Sequence, residues 1–475
     1  MENKKILMVV PDGVGIRNYL YSDLISKLKQ NGYQLILLHN LDQSLIDMVK
    51  SRIGIDFDQI QFRNFPETKI QYLLREATTY ARLQLGADKF DNPTLLSNSK
   101  VGKKGLKRLF FTKIAEILGR SLKKYEGILF FESEIYRYWK SSKGMQFYQE
   151  LLDQHKPDLI FITHQRVPSL VPLCIAAKSK NIPTVSAIYS WDNLPKARLP
   201  IRTDFYAVWS DYMKKEFVDF YPEISDQQLL VTGTPQFDFY KNQDLKISRT
   251  LFAEKYGLDP DKKWILFSGD DLVTSPHDPE YLSDVAESVM DHTEIQILFR
   301  QVPVEGPDRY LKYIEKFDNI THIPPSWKRG KTWMNFFPMF EDIQLLMNLC
   351  LHCETVINIG STMALDFSYF DKPGIFLAYD TVKDPDWSTK IIYQFQHFRT
   401  LNGLDAVMFA RSKNELKEKI LQAINSPQIV AKDRLKWMRK VNNSDSTASE
   451  NMLEMFRKLV PHSKSKFDET PLQSK

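Results

Sequence analysis

The chain has only three cysteines among its 475 residues, a net charge of just +5 and no long apolar run. Three cysteines cannot build a disulfide framework, which favours a reducing compartment. A membrane-spanning helix needs roughly 18 or more consecutive apolar residues, and no stretch approaches that length. The apolar run from Ile6 to Val10 is also too short for the core of a signal peptide. We therefore expect a cytoplasmic protein.

The composition is that of an ordinary globular protein, with 43% hydrophobic and 26% charged residues. A chain of this length exceeds what one hydrophobic core usually supports, so two domains are expected. Positive charge is concentrated between Lys100 and Lys124, and the rest of the chain has no basic stripe and no nucleic-acid-binding motif. A nucleic-acid partner is therefore not expected.

Short apolar runs alternate with amphipathic segments, which predicts repeated strand–helix–strand units with strands covered on both faces. The predicted strands are Lys5–Val10, Gln34–His39, Gln59–Arg63, Asp158–Thr163, Pro183–Tyr189, Phe205–Trp209 and Leu229–Gly233, then Trp264–Ser268, Ile295–Arg300, Ile320–Ile323, Thr355–Ile359 and Gly374–Leu377. From about Tyr393 the strand pattern ends and helices are predicted. The fold class is therefore α/β, with two doubly wound, Rossmann-like domains facing one another across a cleft and a C-terminal helical segment.

Turn residues and a polar segment set the predicted domain boundaries. The turn Gly233-Thr234-Pro235 ends the first series of strands, and the polar residues Lys241 to Ser248 begin a linker. We therefore assign residues 1–240 to the first domain and 241–385 to the second. Residues 386–462 are predicted to be helices that cross back to the first domain, and residues 463–475 a disordered tail.

Two glycine-containing turns are candidate binding loops. The turn 360–362, Gly-Ser-Thr, lies between a buried strand and a helix, where free N–H groups and hydroxyls can hold a phosphate. The alternative is that Ser361 or Thr362 only caps the helix. Gly13 and Gly15 follow the first strand, where glycine lets the backbone approach a ligand closely, although glycine is also the ordinary residue of tight turns.

Taken in order, these segments resemble glycosyltransferases of the GT-B fold, the broad group that includes bacterial surface-polysaccharide transferases, Kdo transferases and CDP-glycerol glycerophosphotransferases. The resemblance covers about Lys4 to Asp380. It is carried by Gly13-Val14-Gly15, Trp191-Asp192-Asn193, Gly233-Thr234-Pro235-Gln236-Phe237-Asp238, Arg300-Gln301-Val302-Pro303, and Gly360-Ser361-Thr362 with Asp366 and Lys372-Pro373. It implies the GT-B architecture, with a first domain that binds the acceptor and a second domain that binds the nucleotide donor.

The resemblance also implies the donor site. In similar transferases the turn at 360–362 holds the donor phosphates, and Asp366 stands where a Glu usually grips the ribose. Arg300 matches the Arg of an Arg-x-His-Pro pattern whose His is replaced here by Val302, and a cation there can neutralise a leaving diphosphate. The alternative is a surface arginine at a strand end. The predicted donor-binding residues are Ser268, Gly269, Arg300, Gly360, Ser361, Thr362 and Asp366.

An inverting transferase needs a general base on the acceptor side. Three side chains at the carboxyl ends of predicted first-domain strands are candidates, in the order Asp192, His164 and Asp12. Trp191 can stack on a sugar ring. The alternatives are that Asp192 caps a turn, that Trp191 packs in the core and that His164 is structural. The residues predicted to line the acceptor cleft are Gly13, Gly15, Trp191 and Asn193.

Two patterns that could suggest a metal are set aside. The pair Cys350 and Cys353 has no second cysteine pair and adjoins a buried strand, which favours core packing. The acidic pair Asp270-Asp271 is not needed, because GT-B enzymes typically stabilise the leaving diphosphate with helix ends and cations. No metal and no cofactor are expected beyond a nucleotide-sugar co-substrate, for which a UDP-sugar is the expectation.

The basic residues Lys103, Lys104, Lys107 and Arg108 interleave with apolar residues, which predicts a cationic amphipathic helix. Such a helix can lie on an anionic membrane and bring a lipid-linked acceptor to the enzyme. It can equally be a surface helix with a solvated charged face. A peripheral position on the inner face of the plasma membrane is therefore one of two predictions for this helix.

The expected function is transfer of a sugar from a nucleotide-sugar donor to a hydroxyl acceptor in a bacterial cell-surface polysaccharide or glycolipid, with inversion implied by the resemblance. Three alternatives stay open: a CDP-polyol phosphotransferase of the CDP-glycerol type, a nucleotide-sugar 2-epimerase, and a GT-B scaffold that binds glycan or a partner without turnover. The fold alone does not separate these functions.

Overall fold

The computed structural model describes residues 3–13, 15–99, 106–122, 124–328, 336–443 and 445–461, with the side chains of 106–108 left out. The chain divides into two compact units. Unit 1 takes in the described residues of Met1–Leu85, Ser99–Pro235 and Asn443–Lys475. Unit 2 takes in Gly86–Asn98 and Gln236–Asn442. The passage between the two series of strands falls at Pro235–Gln236, beside the predicted boundary at residue 240.

Unit 1 is built on a parallel sheet of seven strands in the order β3-β2-β1-β4-β5-β6-β7. Its strands are β1 (Lys5–Val10), β2 (Gln34–His39), β3 (Asp58–Gln61), β4 (Leu159–Ile162), β5 (Thr184–Ala187), β6 (Phe205–Val208) and β7 (Leu229–Val231). Its helices up to this point are α1 (Leu24–Gln30), α2 (Gln43–Ile53), α3 (Lys69–Phe90, whose last turn lies in unit 2), α4 (Leu106–Ser121), α5 (Tyr125–Lys140), α6 (Lys143–His155), α7 (Val171–Ser179) and α8 (Asp211–Phe220).

The central strands of unit 1 are buried on both faces because nearly every residue in them is apolar. All four residues of β4 are buried, as are the last five of β1. On one face they pack with α5, α6 and α7 in a core that includes Trp139 and Tyr148. Fully burying an apolar side chain stabilises the folded state by about 1.5–3 kcal/mol, so these strands position the loops that follow them firmly.

Unit 2 contains a second parallel sheet, of six strands in the order β10-β9-β8-β13-β14-β15. Its strands are β8 (Lys263–Ser268), β9 (Ile295–Arg300), β10 (Ile320–His322), β13 (Thr355–Asn358), β14 (Gly374–Leu377) and β15 (Met408–Ala410), and β11 (Trp327–Lys328) pairs with β12 (Phe337–Pro338) in a separate antiparallel ladder. Its helices are α9 (Arg249–Tyr256), α10 (Asp278–Ser288), α11 (Leu311–Ile314), α12 (Phe340–His352), α13 (Met363–Tyr369), α14 (Thr389–Ile392), α15 (Leu416–Asn425) and α16 (Arg434–Val441).

The last helix, α17 (Ala448–Leu459), belongs to unit 1 and packs against α1. The amide of Asn451 donates to the carbonyl of Thr232 at 3.1 Å, and the ring of Phe456 lies 5.3 Å from that of Phe161. The predicted helical segment 386–462 is therefore divided, because α14, α15 and α16 lie in unit 2 and only α17 lies in unit 1. The predicted tail, 463–475, lies outside the described residues.

All twelve predicted strands are present, with ends that differ by at most two residues, and the predicted α/β class with two doubly wound sheets is confirmed. The prediction that strands end before Tyr393 is wrong. Residues Met408–Ala410 form β15, which pairs in parallel with β14 at the edge of the sheet. A three-residue strand leaves too little alternating or apolar pattern to separate it from the helices around it. No helix in the described part of the chain combines the length and apolarity needed to cross a membrane.

Candidate functional site

The topology of each sheet singles out one pair of neighbouring strands. In unit 1 the chain leaves β1 towards β2 and β3, then returns to the other side of β1 as β4. In unit 2 it leaves β8 towards β9 and β10 and returns beside β8 as β13. Adjacent loops at such a switch point separate and leave a crevice at the carboxyl ends of the strands, where open α/β sheets bind ligands.

The switch point of unit 1 brings together two of the three predicted base candidates. Asp12 follows β1 and His164 follows β4, and Nδ1 of His164 is hydrogen-bonded to Oδ2 of Asp12. The second carboxylate oxygen of Asp12 accepts from the backbone N–H of Gly15 at 3.3 Å. Both side chains are mostly buried, with 14% of His164 and 7% of Asp12 exposed. We refer to them as the Asp12–His164 pair.

The pair leaves one imidazole nitrogen available. With the Asp12 carboxylate accepting from Nδ1–H, the other nitrogen, Nε2, carries the lone pair. Nε2 is buried and has no hydrogen-bond partner in the described part of the chain. Leaving a buried polar atom unpaired costs about 1–3 kcal/mol, so a hydroxyl or water that reached this nitrogen would be stabilised there. Since the atom is covered in this structure, such a group requires local movement to reach it.

The loops around His164 are held by a second set of contacts. The ring of Tyr189 stacks on the His164 ring at a centroid distance of 4.3 Å and an angle of 20°. The fully buried Gln165 donates to Oδ1 of Asn193 at 2.9 Å and accepts from the N–H of Tyr189 at 3.0 Å. Gln165 therefore joins the loop after β4 to the loop after β5. Tyr189 and Gln165 were missed from the sequence, because neither residue type marks a site without its neighbours in space.

Asp192, the favoured base from sequence, already has polar partners. Its carboxylate is paired with Nζ of Lys196 and accepts from the amide of Asn193 at 2.9 Å. Trp191 is 5% exposed and Asn193 is 3% exposed. The burial of Trp191 favours the packing alternative over stacking on a sugar. The structure thus gives His164, rather than Asp192, the stronger geometry for a base, because only His164 combines an orienting carboxylate with an unpaired nitrogen.

The glycines after β1 serve close packing. Gly13 accepts a backbone hydrogen bond from Ile16 at 3.3 Å. A Cβ on Gly15 would lie 2.9 Å from Cγ1 of Val10 and 3.0 Å from Oγ1 of Thr163. Glycine at position 15 therefore lets the loop after β1 approach the end of β4, which is what brings Asp12 to His164. Val14, between the two glycines, lies outside the described residues.

Glu216 on α8 is a further polar group near this site that sequence reasoning missed. It is 6% exposed, and its Oε1 has no hydrogen-bond partner among the described residues. Burial, and then the negative charge of Asp192, raise the pKa of Glu216 well above its ordinary value. The surroundings of Glu216 therefore favour its uncharged form more than water does.

In unit 2 the predicted phosphate turn has a defined local structure. Gly360 adopts a left-handed conformation with φ +67°, and the N–H of Ser361 donates to Oδ1 of Asn358 at 2.9 Å. The Thr362 side chain is exposed and makes no capping hydrogen bond to α13, which argues against the simple N-cap alternative for this residue. Nδ2 of Asn358 is buried without a hydrogen-bond partner in the described chain. The turn thus presents two hydroxyls at the switch point between β8 and β13.

Arg300 ends β9, beside the predicted Ser268 at the end of β8. It is not a surface residue: it is 5% exposed, and its Nη2 donates to both carboxylate oxygens of Asp342 at 2.9 Å. Asp342 also accepts from the N–H of Ser326 and from Nε1 of Trp327, each at 2.8 Å. The charge of Arg300 is therefore largely compensated within the unit. Its Nη1, buried and without a partner in the described residues, is the group left to meet a ligand.

Two other predicted donor residues lie in less open positions. Asp366 is 2% exposed, and its carboxylate accepts from the hydroxyl of Tyr240 at 2.7 Å, which argues against the predicted ribose contact. A Cβ on Gly269 would lie 2.8 Å from the hydroxyl of Tyr310, so glycine there is needed for packing. Ser268 is 5% exposed at the switch point.

Buried carboxyl groups follow β8 close to this point. Asp278 accepts from the N–H of Asp270 and from the hydroxyls of Ser275 and Tyr310, each at 2.8 Å. Burial raises the pKa of Asp278 to about 6. Burial, and then the charges of Asp278 and Asp271, raise the pKa of Asp270 well above its ordinary value. The surroundings of both acids therefore favour the protonated form more than water does.

The remaining predictions concern metals and the basic helix. Cys350 and Cys353 are buried in unit 2, and the described residues contain no group of three or more His, Cys, Asp or Glu side chains placed to hold a metal. Lys103 and Lys104 lie outside the described residues. The backbone at 107 and 108 belongs to α4, and the side chains of Lys107 and Arg108 are not among those described.

Comparisons with known proteins bear on the fold. No family model and no curated protein sequence matches the chain. Solved structures match over nearly the whole chain. S. aureus MnaA, solved with UDP, is 14% identical with a TM-score of 0.51 and covers 98% of this chain and 100% of its own. UDP-GlcNAc 2-epimerase from Neisseria meningitidis, bound to UDP-GlcNAc, is 12% identical with a TM-score of 0.54 and covers 96% and 100%.

A glycosyltransferase from Rickettsia africae is 12% identical with a TM-score of 0.54 and covers 98% of this chain and 100% of its own. Identities this low establish the fold and not the reaction. The chain therefore has the GT-B fold that the resemblance implied, a fold shared here by an epimerase and a glycosyltransferase.

Proposed function

We propose that the protein is a glycosyltransferase that moves a sugar from a UDP-sugar to a hydroxyl acceptor, in the assembly of a bacterial cell-surface polysaccharide or glycolipid. The observation that carries this proposal is the Asp12–His164 pair at the switch point of unit 1, with its unpaired Nε2. A nitrogen base oriented by a carboxylate is what removal of a proton from an attacking hydroxyl requires.

The chemistry assigned to the pair is direct. Nε2 of His164 takes the proton of the acceptor hydroxyl as its oxygen attacks the anomeric carbon, and the nucleoside diphosphate leaves from the opposite side. Such a single displacement inverts the anomeric configuration. Asp12 holds the ring through Nδ1 and stabilises the imidazolium that forms. General-base catalysis of this kind contributes on the order of a hundredfold to ten-thousandfold in rate.

The donor is assigned to the switch point of unit 2. The hydroxyls of Ser361 and Thr362, the backbone at Gly360, the hydroxyl of Ser268 and Nη1 of Arg300 lie at the carboxyl ends of neighbouring strands. Hydroxyls, backbone N–H groups and a guanidinium are the groups that bind phosphates. Asp366 has no part in this proposal, because its carboxylate is buried against Tyr240.

A 2-epimerase is the second candidate, because the fold matches a UDP-GlcNAc 2-epimerase as well as it matches a glycosyltransferase. S. aureus MnaA was solved with UDP, and the Neisseria meningitidis protein is a UDP-GlcNAc 2-epimerase bound to UDP-GlcNAc. Neither is described as a transferase. A 2-epimerase must break and remake the C2–H bond of the sugar, so it also needs an acid and base. His164 and Glu216 are two groups of unit 1 that could take those roles.

One experiment separates the two. The purified protein is first screened by thermal shift against UDP, CDP, GDP and TDP and their sugar or polyol conjugates, because a ligand that binds the native state raises the melting temperature. The stabilising conjugate is then incubated in D2O and followed by NMR. A transferase leaves C2 of the sugar undeuterated and releases nucleotide when acceptor is present. Deuterium at C2 with no release would contradict the transferase, and stabilisation by a CDP-polyol alone would favour phosphotransfer.

The same screen tests the donor assignment. Replacing Thr362 by Ala should weaken nucleotide binding roughly tenfold to a hundredfold, the effect of losing one hydrogen bond to a charged phosphate. Thr250→Ala, an exposed threonine at the start of α9 in the same unit, is the matched control. Equal affinities in all three proteins would remove Thr362 from the donor site.

We also propose that α4 places the protein on an anionic membrane surface. Leu109, Phe110 and Ile117 are 46%, 64% and 68% exposed on this helix, an apolar face next to the basic segment of the sequence. Phe110→Ser should reduce sedimentation with vesicles that contain phosphatidylserine, whereas Leu251→Ser, equally exposed on α9 in unit 2, should not. Unchanged sedimentation of the Phe110 variant would contradict the membrane contact.

A further inference from the structure

Two arginines of unit 1 lie near the Asp12–His164 pair without a carboxylate partner. Arg17 follows Gly15 in the short π-helix Ile16–Leu20, and Arg166 lies two residues beyond His164. Both side chains are partly exposed. Within the described residues Arg17 donates only to the amide oxygen of Asn18, at 3.1 Å, and Arg166 has no hydrogen-bond or ion-pair partner.

Both arginines act on the tyrosine that covers His164. Burial first, and then the negative charge of Asp12, raise the pKa of Tyr189. The positive charges of Arg17 and Arg166 oppose that rise. Since the Tyr189 ring is stacked on His164, the charges of both arginines act on the ring beside the proposed base, and the two residues belong to two different loops. This placement follows from the switch point, because one loop leaves β1 and the other leaves β4.

The acids nearby are paired with other groups. The Asp12 carboxylate is engaged by His164 and Gly15, and the Asp192 carboxylate is engaged by Lys196 and Asn193. Asp192 still attracts Arg166 electrostatically, and neither arginine has an ion-pair partner among the described residues.

Arg166 is also held where a cation is unfavourable. Burial, and then the positive charge of Arg198, lower the pKa of Arg166, and the negative charge of Asp192 opposes this fall. Arg198 itself is paired with Glu76 at 3.1 Å. A half-buried cation without an ion-pair partner costs free energy that a bound anion recovers. Arg166 is therefore positioned to bind an anion.

We propose that Arg166 and Arg17 bind an anionic group, a phosphate or a carboxylate, on the substrate whose hydroxyl meets His164. The inference rests on the proposed function, because it assigns this substrate as the acceptor of that transfer. Arginine suits both anions, since its planar donors pair with two oxygens at once. The acceptor class is therefore a phosphorylated or acidic sugar, or a phosphate-linked glycan, and a neutral sugar is excluded.

The test uses the full chain and small probes. Methyl phosphate, glucuronic acid and the neutral methyl glucoside are titrated separately, with the His164 ring signal followed by NMR and affinities taken from calorimetry. Each titration is repeated with saturating UDP. The variants are R166Q and R17Q, which lie on different loops, and the control is R137Q, a 73% exposed arginine of α5. Circular dichroism and melting temperature report folding.

We expect one or both anions to shift the His164 signal and the neutral glucoside not to do so. R166Q and R17Q should each weaken that binding roughly tenfold to a hundredfold, the effect of losing a charge-assisted hydrogen bond, and R137Q should not change it. The anion that binds tells a phosphate acceptor from a carboxylate acceptor. UDP affinity should be the same in all four proteins.

Three results would overturn the inference: equal binding of the neutral glucoside, unchanged anion binding in folded R166Q and R17Q, or loss of anion binding once UDP is present. The last would assign the arginines to the phosphates of the nucleotide. Failure of the proposed function has a different signature, namely absence of UDP binding and turnover in the wild-type protein, with anion binding still measurable on its own.

Discussion

The two switch points occupy equivalent places in two similar sheets but differ in how their polar groups are paired. At β1 and β4 the imidazole Nε2 of His164 has no described partner, and two arginines lack carboxylates. In unit 2, where the switch point lies between β8 and β13, the guanidinium of Arg300 at the end of β9 is held by both oxygens of Asp342, which has two further donors. The unpaired group at the first site is a nitrogen that can accept a proton, whereas Nη1 of Arg300 and Nδ2 of Asn358, the unpaired groups described at the second site, are donors.

This difference suggests a division of labour on a shared topology. Unpaired, oriented groups are expensive in a folded protein and are found where chemistry occurs. A compensated arginine and a hydroxyl-bearing turn suit a site that binds and releases a diphosphate without doing proton transfer. Each of the following experiments changes a residue at or beside one of the two sites and leaves the other site unchanged as the reference.

The largest effect is expected at Asp12. The Asp12→Asn substitution removes the acceptor that fixes Nδ1–H, so the ring can present the wrong tautomer to substrate. Turnover of the donor identified by the nucleotide screen should fall by on the order of a hundredfold to ten-thousandfold, with donor affinity unchanged. Asp23→Asn, an exposed carboxylate in the same unit, is the control. Similar turnover in both variants would show that Asp12 does not orient the base.

The next effect is on the stability of unit 2. Asp342→Asn leaves the Arg300 guanidinium buried without its counterion, and breaking a buried pair costs about 3–5 kcal/mol. Chemical denaturation should show this loss, whereas Glu341→Gln, at the exposed neighbouring position on α12, should change the unfolding free energy by less than about 0.5 kcal/mol. Equal stability of the two variants would mean that the Arg300 charge is compensated elsewhere.

A pH effect of similar size or smaller is expected at Asp278. Burial raises its pKa from 3.8 to about 6 in the folded protein, so the folded state holds this proton more tightly than the unfolded state does. The stabilisation is complete below pH 3.8 and is lost as pH rises through about 6, for a change of about 3 kcal/mol.

The measurement for Asp278 is the difference in unfolding free energy between wild type and Asp278→Asn across pH 4 to 7. The wild type should lose stability relative to the variant over this range. Asp308→Asn, at an exposed position near the start of α11, is the control variant measured over the same range. A constant difference for Asp278→Asn would contradict a raised pKa.

The smallest effect is expected from the donor turn. Gly360→Ala places a side chain at φ +67° and a Cβ 2.6 Å from Phe398, whereas Gly403→Ala has φ +77° and nothing within 4 Å. The cost of holding alanine instead of glycine at a positive φ is about 1 kcal/mol by itself. Gly360→Ala should therefore destabilise unit 2 by about 1–2 kcal/mol more than Gly403→Ala, as read from denaturation midpoints. Equal costs would show that Phe398 moves away freely.

Much of the fold was predictable because buried parallel strands are nearly continuous apolar runs. All twelve predicted strands are present, while β15 was missed because three residues at a sheet edge carry too little pattern. The contact between α17 and α1 could not be specified, since it depends on packing between segments that lie far apart in sequence.

Individual residues of the site were predictable from the sequence, but their arrangement in space was not. Asp12 and His164 were both named as base candidates, yet their pairing depends on β4 returning beside β1 after 148 intervening residues, from Val10 to Leu159. Asp192 ranked first because its neighbours suggested a sugar-binding loop, and its contact with Lys196 was not foreseen. Asp342 was not predicted to belong to the site, because its partner Arg300 lies at the end of a strand 42 residues away along the chain.

The central claim is that the base lies in unit 1 and the donor in unit 2, and one measurement tests it most directly. Donor affinity and turnover are measured in parallel for His164→Gln, for Thr362→Ala and for the control His155→Gln at the end of α6. The account predicts that His164→Gln loses turnover by at least about a hundredfold and keeps donor affinity, while Thr362→Ala loses affinity. Retained turnover in His164→Gln, or an equal loss of donor affinity in both variants, would contradict it.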